Sequence, residues 1–142
     1  MTVAIKRAYE KPVPSDGQRV LVDRLWPRGI RKDQARLHHW LKNLAPSNEL
    51  RKWFHASGNW LVFKKRYFHE LSAAEAAADL ETLFALIEKH PRVTLIYSSS
   101  NETHNNAVAL KELLDGTRKP PSSSGPASAA AAGRVAGRRP RA

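Results

Sequence analysis

The chain contains no cysteine among its 142 residues. This absence excludes disulfides and thiolate metal sites and is typical of a reducing compartment, so we expect a cytoplasmic protein. The sequence also lacks a secretory signal and a transmembrane apolar run, and we expect no membrane contact. No Gly-rich phosphate-binding fingerprint and no G-x-S-x-G motif occur, which removes two common indications of an enzyme class.

Metal-ligand spacing is also missing. The chain has six histidines but no H-x-x-x-H pair and no E-x-x-H spacing, so we predict neither a metal nor any other cofactor. The histidines fall on predicted helix surfaces and helix ends: His38, His39, His55, His69, His90 and His104.

Acidic residues are absent from the C-terminal part of the chain. Residues 116–142 contain six basic and no acidic residues, leaving +5 of the net charge of +11 for the remainder. From residue 117 onward the composition is mainly Pro, Ser, Gly, Ala and Arg, which cannot bury enough apolar surface to offset the entropy of ordering. We therefore predict a folded domain in residues 1–116 and a disordered basic tail in residues 117–142.

The most informative stretch that is present is Val20–Gly29. Its first residues and Leu25 are apolar and mostly strand-favouring, as a strand buried on both faces requires, and Pro27 and Gly29 then end the strand. In open α/β sheets, ligands bind at the carboxyl ends of the strands. This stretch places three charged residues there: Asp23, Arg24 and Arg28.

The remaining pattern predicts further strands and helices around this strand. Alternation in residues 3–8 and an apolar run in residues 93–97 predict two more strands. Helical periodicity predicts a short helix capped by Asp33 that carries Trp40, helices capped by Ser47, Asn59 and a Ser72/Glu75 box, and a last helix closed by Gly116. The predicted fold class is α/β, a single small domain with a short, mainly parallel sheet flanked by helices.

Five short motifs occur together: Asp23–Gly29 (DRLWPRG), Trp40–Lys42 (WLK), Leu44–Ser47 (LAPS), Leu50–Phe54 (LRKWF) and Glu102–Asn105 (ETHN). In this combination the chain resembles the YeaO-like family of uncharacterised bacterial proteins, the domain of unknown function 488. The resemblance implies a small cytoplasmic α/β domain with no assigned biochemical role.

The chain departs from the family pattern at two places. The family usually has two histidines flanking an asparagine at the start of the last helix, whereas here Asn106 stands where the second is expected. The family's late strand usually ends in Tyr followed by small residues and an acid, whereas here Tyr97 is followed by three serines and Asn101. A mechanism that needs both histidines would lack one of them here.

We predict a ligand site where the carboxyl ends of the two buried strands meet. Backbone N–H groups at the start of the last helix favour an anion, and an arginine can hold a phosphate or carboxylate with two hydrogen bonds. The expected ligand is a small anionic or phosphate-bearing molecule. The alternative is structural: Asp23 and Arg24 form an ion pair and the serines cap the helix. The predicted ligand-binding residues are Arg24, Arg28, Tyr97, Ser98, Ser99, Ser100 and Asn105.

A narrower hypothesis makes this site catalytic. Asp23, His104 and either Ser98 or Ser99 would form a hydrolytic triad, with His104 held neutral at a helix start and acting as the base. Geometry rather than sequence defines such triads, so whether the protein is an enzyme stays open at this point.

The second hypothesis is a non-catalytic nucleic-acid-binding module. Basic residues lie among aromatic ones, and the run Lys64–Arg66 and the tail would add non-specific attraction to phosphates. A basic run at helical spacing is usually a solvated face, and Trp40, Trp53 and Trp60 fall on apolar stripes typical of a core. The sequence carries no indication of an oligomeric state.

Overall fold

The computed structural model describes residues 2–117. They form a sheet of four strands in the order β1-β4-β2-β3, and every neighbouring pair is parallel. The predicted parallel α/β architecture is therefore confirmed. The strands are β1 (Thr2–Arg7), β2 (Gln18–Leu21), β3 (His39–Trp40) and β4 (Arg92–Tyr97).

Five helices accompany the sheet. Two predicted caps are confirmed: Ser47 Oγ accepts a hydrogen bond from the Leu50 amide at 3.1 Å, and Asn59 Oδ1 accepts one from the Val62 amide at 3.2 Å. Residues up to Lys111 form one compact unit, and residues 112–117 are the end of the last helix. The helices are α1 (Lys32–Ala35), α2 (Asn48–Ser57), α3 (Trp60–Leu71), α4 (Ala74–Lys89) and α5 (Asn106–Thr117).

Two predicted helix boundaries are wrong. The residue that precedes α4 is Ala73, and Ser72 does not form a capping box because its hydroxyl donates to the carbonyl oxygen of His69 at 2.5 Å. Gly116 does not close α5, which continues through it to Thr117. The bond from Ser72 to the preceding turn replaces the predicted capping box, and α5 continues through the glycine that was expected to end it.

The helix predicted to carry Trp40 ends early. Arg36 follows α1 in the left-handed region at φ +51°, which stops the helix after one turn. The next residues extend beside β2 instead, because the His38 amide donates to Arg19 O at 2.8 Å and the Leu41 amide donates to Leu21 O at 2.9 Å. This pairing adds β3 to the edge of the sheet.

β2 is an interior strand, as predicted, but it is shorter than its apolar pattern indicates. Val20, Leu21 and Val22 are all 0% exposed, and the Val22 amide still donates to Ile96 O. Leu25 is 67% exposed, so its predicted burial is wrong. The chain has left the sheet by Asp23, whose side chain bonds to other segments.

The two faces of the sheet bury different sets of side chains. Successive strand residues point to opposite faces, so Leu21 and its neighbour Ile96 lie on one face, and Val20 and its neighbour Leu95 lie on the other. The residues that pack against Leu21 and Ile96 come from the first part of the chain: Ala8, Trp26, Ile30, Leu37 and Trp40. α4 packs against β4.

The predicted tail and the predicted absence of membrane contact are the two remaining expectations about the chain. The predicted disordered tail begins at Thr117, which is the last residue of α5, and residues 118–142 lie outside the described residues. Within the described part of the chain, no helix is long and apolar enough to cross a membrane.

Candidate functional site

Asp23 is the centre of a hydrogen-bond network at the carboxyl ends of β2 and β4. Its Oδ2 accepts hydrogen bonds from the Ser98 amide at 2.9 Å and from the Ser98 hydroxyl at 2.7 Å. Its Oδ1 accepts one from Asn106 Nδ2 at 3.0 Å, and the same nitrogen lies 3.0 Å from Val22 O. These contacts hold β2, the loop after β4 and the start of α5 together.

Every donor to the Asp23 carboxylate is neutral. A neutral donor satisfies a carboxylate oxygen without cancelling its charge, so the network keeps one negative charge. Trp40 Nε1 donates to the Asp23 backbone carbonyl at 2.7 Å, which also fixes the main chain at this residue. Asp23 is therefore rigidly placed.

Arg24 is half-buried and has no acidic partner among residues 2–117. Its Nη2 donates to the carbonyl oxygen of Ala45 at 3.3 Å, and its buried Nε has no hydrogen-bond partner. The ion pair between Asp23 and Arg24, which was the structural alternative to a ligand site, is absent among the described residues, because Asp23 bonds to Ser98 and Asn106 instead. An arginine left in this state favours an anion beside it.

Arg28 joins the site indirectly. Its side chain is exposed, and its backbone carbonyl accepts a hydrogen bond from the Tyr9 hydroxyl at 2.9 Å. The Arg7 guanidinium lies 5.1 Å from the centre of the Tyr9 ring, and it donates to Ser99 O at 2.8 Å and Ser98 O at 3.3 Å. The contacts of Arg7 and Tyr9 therefore connect the Arg28 segment to the loop that carries Ser98 and Ser99.

The serine loop is held in shape by its own residues. Ser99 Oγ accepts a hydrogen bond from the Asn101 amide at 3.1 Å, and Asn101 Oδ1 accepts bonds from the amides of Thr103 and His104. Ser100 is exposed. Of the three predicted serines, Ser98 is the one bound to Asp23, while Ser99 and Ser100 form the outer part of the loop.

Tyr97 and Asn105 are buried beneath this loop. Asn105 Oδ1 accepts a hydrogen bond from the Val108 amide at 2.9 Å, and its Nδ2 donates to Asn101 O at 2.8 Å, so Asn105 caps α5 and anchors the loop. Burial raises the pKa of Tyr97, as do Glu102 and Glu10, against the opposing effects of Asn105 and Arg7. The Tyr97 phenol therefore stays protonated at neutral pH.

His104 lies in a different environment from the one the triad requires. Its ring stacks on Trp60 at the start of α3, with ring centres 4.5 Å apart and planes 13° apart. Lys64 Nζ lies 5.4 Å from the centre of the same Trp60 ring. Within residues 2–117, Asp23 and His104 are not hydrogen-bonded to each other, so the structure brings Asp23 and Ser98 together but not the complete triad.

Tyr67 from α3 lies under the network and is fully buried. Its hydroxyl donates to the carbonyl oxygen of Leu44. Burial, followed by the negative charges of Asp23 and Glu70, raises the pKa of Tyr67 far above its ordinary value. Tyr67 is thus a neutral donor at any physiological pH.

Sequence reasoning missed Asn106, Tyr67 and Arg7 as members of this site. Asn106 was seen only as a departure from the family pattern, although an amide at a helix start is a good donor to a carboxylate. Tyr67 was identified only as part of an apolar stripe, and nothing in its spacing indicates that it lies near Asp23. Arg7 ends β1, and its parallel pairing with Tyr97 brings it beside the serine loop.

The clearest concavities lie elsewhere. A groove of about 630 Å³ lies between α2 and α3, and one of about 900 Å³ lies near the amino end of β2. The described residues also hold no group of three or more His, Cys, Asp or Glu side chains suited to a metal ion. At the carboxyl end, the described residues form a hydrogen-bonded network beside Arg24, which has no acidic partner among them.

Comparison with known proteins gives a family and uncharacterised relatives. A family model described as "Inactive DUF488-N3 subclade" matches residues 2–131. Uncharacterized protein YeaO of Escherichia coli (strain K12) is 42% identical over 115 residues, which span 80% of this chain and 97% of that protein. Uncharacterized protein Rv3073c of Mycobacterium tuberculosis (strain ATCC 25618 / H37Rv) is also 42% identical over 115 residues, spanning 80% and 94%. No solved structure matches the chain.

Proposed function

The chain belongs to the YeaO-like DUF488 family, and on this premise we propose that it is a non-catalytic domain that binds a small anionic or phosphate-bearing ligand. The ligand binds at the carboxyl ends of the strands. Arg24 is its main contact, and Arg28 and the outer serines, Ser99 and Ser100, line the edge of the site.

The state of Arg24 carries this proposal. A guanidinium with a buried nitrogen that makes no hydrogen bond costs free energy, about 1–3 kcal/mol for an unsatisfied buried polar group. Asp23 lies next in sequence but is already bonded to Ser98 and Asn106, so it does not relieve this cost. A carboxylate or phosphate oxygen supplied by a ligand would relieve it.

The non-catalytic part of the proposal rests on the same contacts. The Ser98 hydroxyl donates a hydrogen bond to Asp23, and no histidine among residues 2–117 is hydrogen-bonded to this hydroxyl. The ring of His104 stacks on Trp60. A nucleophile paired with a base, which hydrolysis of this kind requires, is not assembled. The matched family model is likewise described as an inactive subclade.

The nucleic-acid hypothesis is less well supported by the contacts. Base stacking needs a free aromatic face, but Arg66 lies 4.3 Å from the centre of the Trp53 ring and Lys42 lies 4.5 Å from that of Trp40. Trp60 is covered by His104. What remains is non-specific attraction of a basic surface to phosphates, which depends steeply on salt.

The test is a titration of the full chain with inorganic phosphate in which the backbone amide signals are monitored by NMR. We expect saturable shifts in the amides of residues 22–24 and 98–100. Arg24→Gln should weaken this binding at least tenfold, because a hydrogen bond to a charged group contributes about 1.5–3 kcal/mol. Lys89→Gln is the matched control, since it removes one exposed positive charge at the end of α4, just before β4 starts.

Three outcomes would overturn the proposal. One is the absence of saturable shifts at these residues, and another is an equal loss of binding in Arg24→Gln and Lys89→Gln. The third is tight binding of a short DNA duplex that persists at physiological salt and is unaffected by Arg24→Gln, which would favour the nucleic-acid hypothesis.

A further inference from the structure

A second charged cluster lies at the opposite end of β2, beside the 3-10 turn Pro14–Asp16. Asp16 is 5% exposed and accepts hydrogen bonds from Lys6 Nζ at 3.1 Å, Arg19 Nη1 at 2.7 Å and the Val13 amide at 3.1 Å. Burial raises the pKa of Asp16, but the Val13 amide, Lys6 and Arg19 outweigh it and hold that pKa below its ordinary value. Two cations thus share one carboxylate, and the cluster keeps one positive charge.

Arg19 is the most enclosed of these cations. It is 3% exposed, its Nε donates to Ala35 O at 3.0 Å, and its Nη1 is bound to Asp16. Its Nη2 is buried and makes no hydrogen bond with the described residues. Buried polar nitrogens are nearly always satisfied, so this one indicates a missing acceptor.

Arg19 lines the groove of about 900 Å³, which we call the amino-end groove. His38 also lines it, and the Nδ1 of His38 accepts the Arg19 amide proton at 3.0 Å, so the neutral imidazole carries its proton on Nε2. Lys11 and Arg36 add positive charge, while Asp33, an acid in the lining, is paired with Arg31 at 3.3 Å. The groove is therefore rich in donors and positive in charge.

Backbone geometry fixes this groove in place. Gly17 has φ +66°, and a Cβ there would lie 2.3 Å from the carbonyl oxygen of Arg92, so the turn packs directly on the start of β4. Thr94 Oγ1 donates to Asp16 O at 2.6 Å, which ties the same turn to β4. Arg36 holds φ +51°, a conformation that non-glycine residues adopt uncommonly. Such rigidity is what a site with preset donors requires.

We propose that the amino-end groove is a second binding site, specific for an oxyanion of the phosphate or carboxylate type. The oxyanion accepts a hydrogen bond from Arg19 Nη2 and contacts Arg36 and Lys11 at the mouth of the groove. The site is separate from the carboxyl-end site and does not depend on it, because Arg19 lies within β2 and Arg24 lies in the segment beyond the carboxyl end of this strand.

The test uses the full chain and two probes, inorganic phosphate and acetate, at constant ionic strength set with sodium chloride. Amide NMR should show saturable shifts at residues 17–19 and 36–38 with at least one probe, and the comparison of the two distinguishes phosphate from carboxylate recognition. The residues around Ser98–Ser100 report the carboxyl-end site in the same spectra, so success or failure of the two sites is read separately.

Two variants and one control identify the contacts. Arg36→Asn removes a charge and tolerates the left-handed backbone, and it should weaken binding about threefold, because an exposed charge contributes only weakly. Lys32→Asn is the matched control, because Lys32 is an exposed cation in α1, the helix that Arg36 follows, and this variant should leave binding unchanged. Arg19→Lys keeps the charge but loses the forked donor, and it should weaken binding at least tenfold.

The proposal is overturned if the amides of residues 17–19 and 36–38 do not move saturably with either probe. It is equally overturned if Lys32→Asn weakens binding as much as Arg36→Asn, because the effect would then be general electrostatic attraction. Should Arg19→Lys fail to fold, the Arg36 and Lys32 pair still decides the question.

Discussion

The two ends of β2 each hold a buried or half-buried carboxylate, but the two carboxylates are bonded to different kinds of donor. At the amino end, Asp16 is bonded to two cationic side chains, Lys6 and Arg19. At the carboxyl end, Asp23 is bonded only to neutral donors from Ser98 and Asn106. One end therefore keeps a positive charge, and the other keeps a negative charge beside the unpaired Arg24.

This difference separates structural from binding roles among similar residues. The Asp16 cluster joins β1, β2 and the turn between them by ion pairs, and removing one member leaves a buried charge without a partner. The Asp23 network joins loops by hydrogen bonds from neutral donors, so removing the charge of Asp23 leaves none of these donors as an unpaired cation. At each end, an arginine nitrogen lacks an acceptor among the described residues, and there we propose that an anion binds.

The largest effect is expected from Asp16→Asn. The substitution leaves Lys6 and Arg19 with no carboxylate partner in a buried place, and breaking a buried pair in this way costs about 3–5 kcal/mol. Urea unfolding monitored by tryptophan fluorescence measures the loss. Asp33→Asn is the control, because its ion pair with Arg31 is 74% exposed on each side chain and should contribute no more than about 1 kcal/mol.

The ion pairs of Asp16 with Lys6 and Arg19 also make the free energy of unfolding depend on pH, with a definite sign. The pKa of Asp16 is lower in the folded than in the unfolded chain, so its contribution to stability is present above the unfolded pKa of about 4 and is lost as pH falls through the folded pKa. Asp16→Asn should remove this part of the acid sensitivity. An unchanged acid profile in the variant would contradict the ion-pair assignment.

A smaller effect is expected from Asp23→Asn. The amide keeps one acceptor oxygen but turns an NH2 group towards one of the former donors, and losing charged hydrogen bonds costs about 1–3 kcal/mol. The free energy of unfolding is measured as for Asp16→Asn, at neutral pH. If Asp23→Asn destabilised the protein as much as Asp16→Asn, the proposed contrast between the two ends would be wrong.

The sequence predicted the carboxyl end better than the amino end, for a physical reason. The apolar run Val20–Val22 indicates a buried strand, and Asp23, directly after it, then has to lie at the strand end. The bond from Asp23 to Ser98 follows because β2 and β4 are parallel neighbours. Such register effects are accessible from pattern alone once the two strands are recognised.

The amino-end cluster was invisible to the same reasoning. Arg19 lies within β2 and Asp16 in a turn rich in Pro and Gly, where charged residues are usually solvent-exposed. Their burial depends on Gly17 packing against β4 and on His38, the residue just before the edge strand β3, which accepts a hydrogen bond from the Arg19 amide. β3 was missed because two residues are too few to show an alternating pattern.

The smallest expected effect concerns the buried hydroxyl of Tyr67. Burial and the nearby Asp23 carboxylate raise the pKa of Tyr67 in the folded protein, whereas an unfolded tyrosine titrates near about 10. Below that pH the tyrosine is protonated in both states, and above it only the unfolded chain releases the proton, so stability falls as pH rises, by up to about 1.4 kcal/mol per pH unit.

Tyr67→Phe should therefore lose less stability between pH 9 and pH 11 than the wild type, measured by urea unfolding at each pH. Tyr97 titrates alike in both proteins and cancels in the comparison. A loss of stability between pH 9 and pH 11 that is equally large in Tyr67→Phe and in the wild type would contradict the assignment of Tyr67 as a buried tyrosine that ionises only after unfolding.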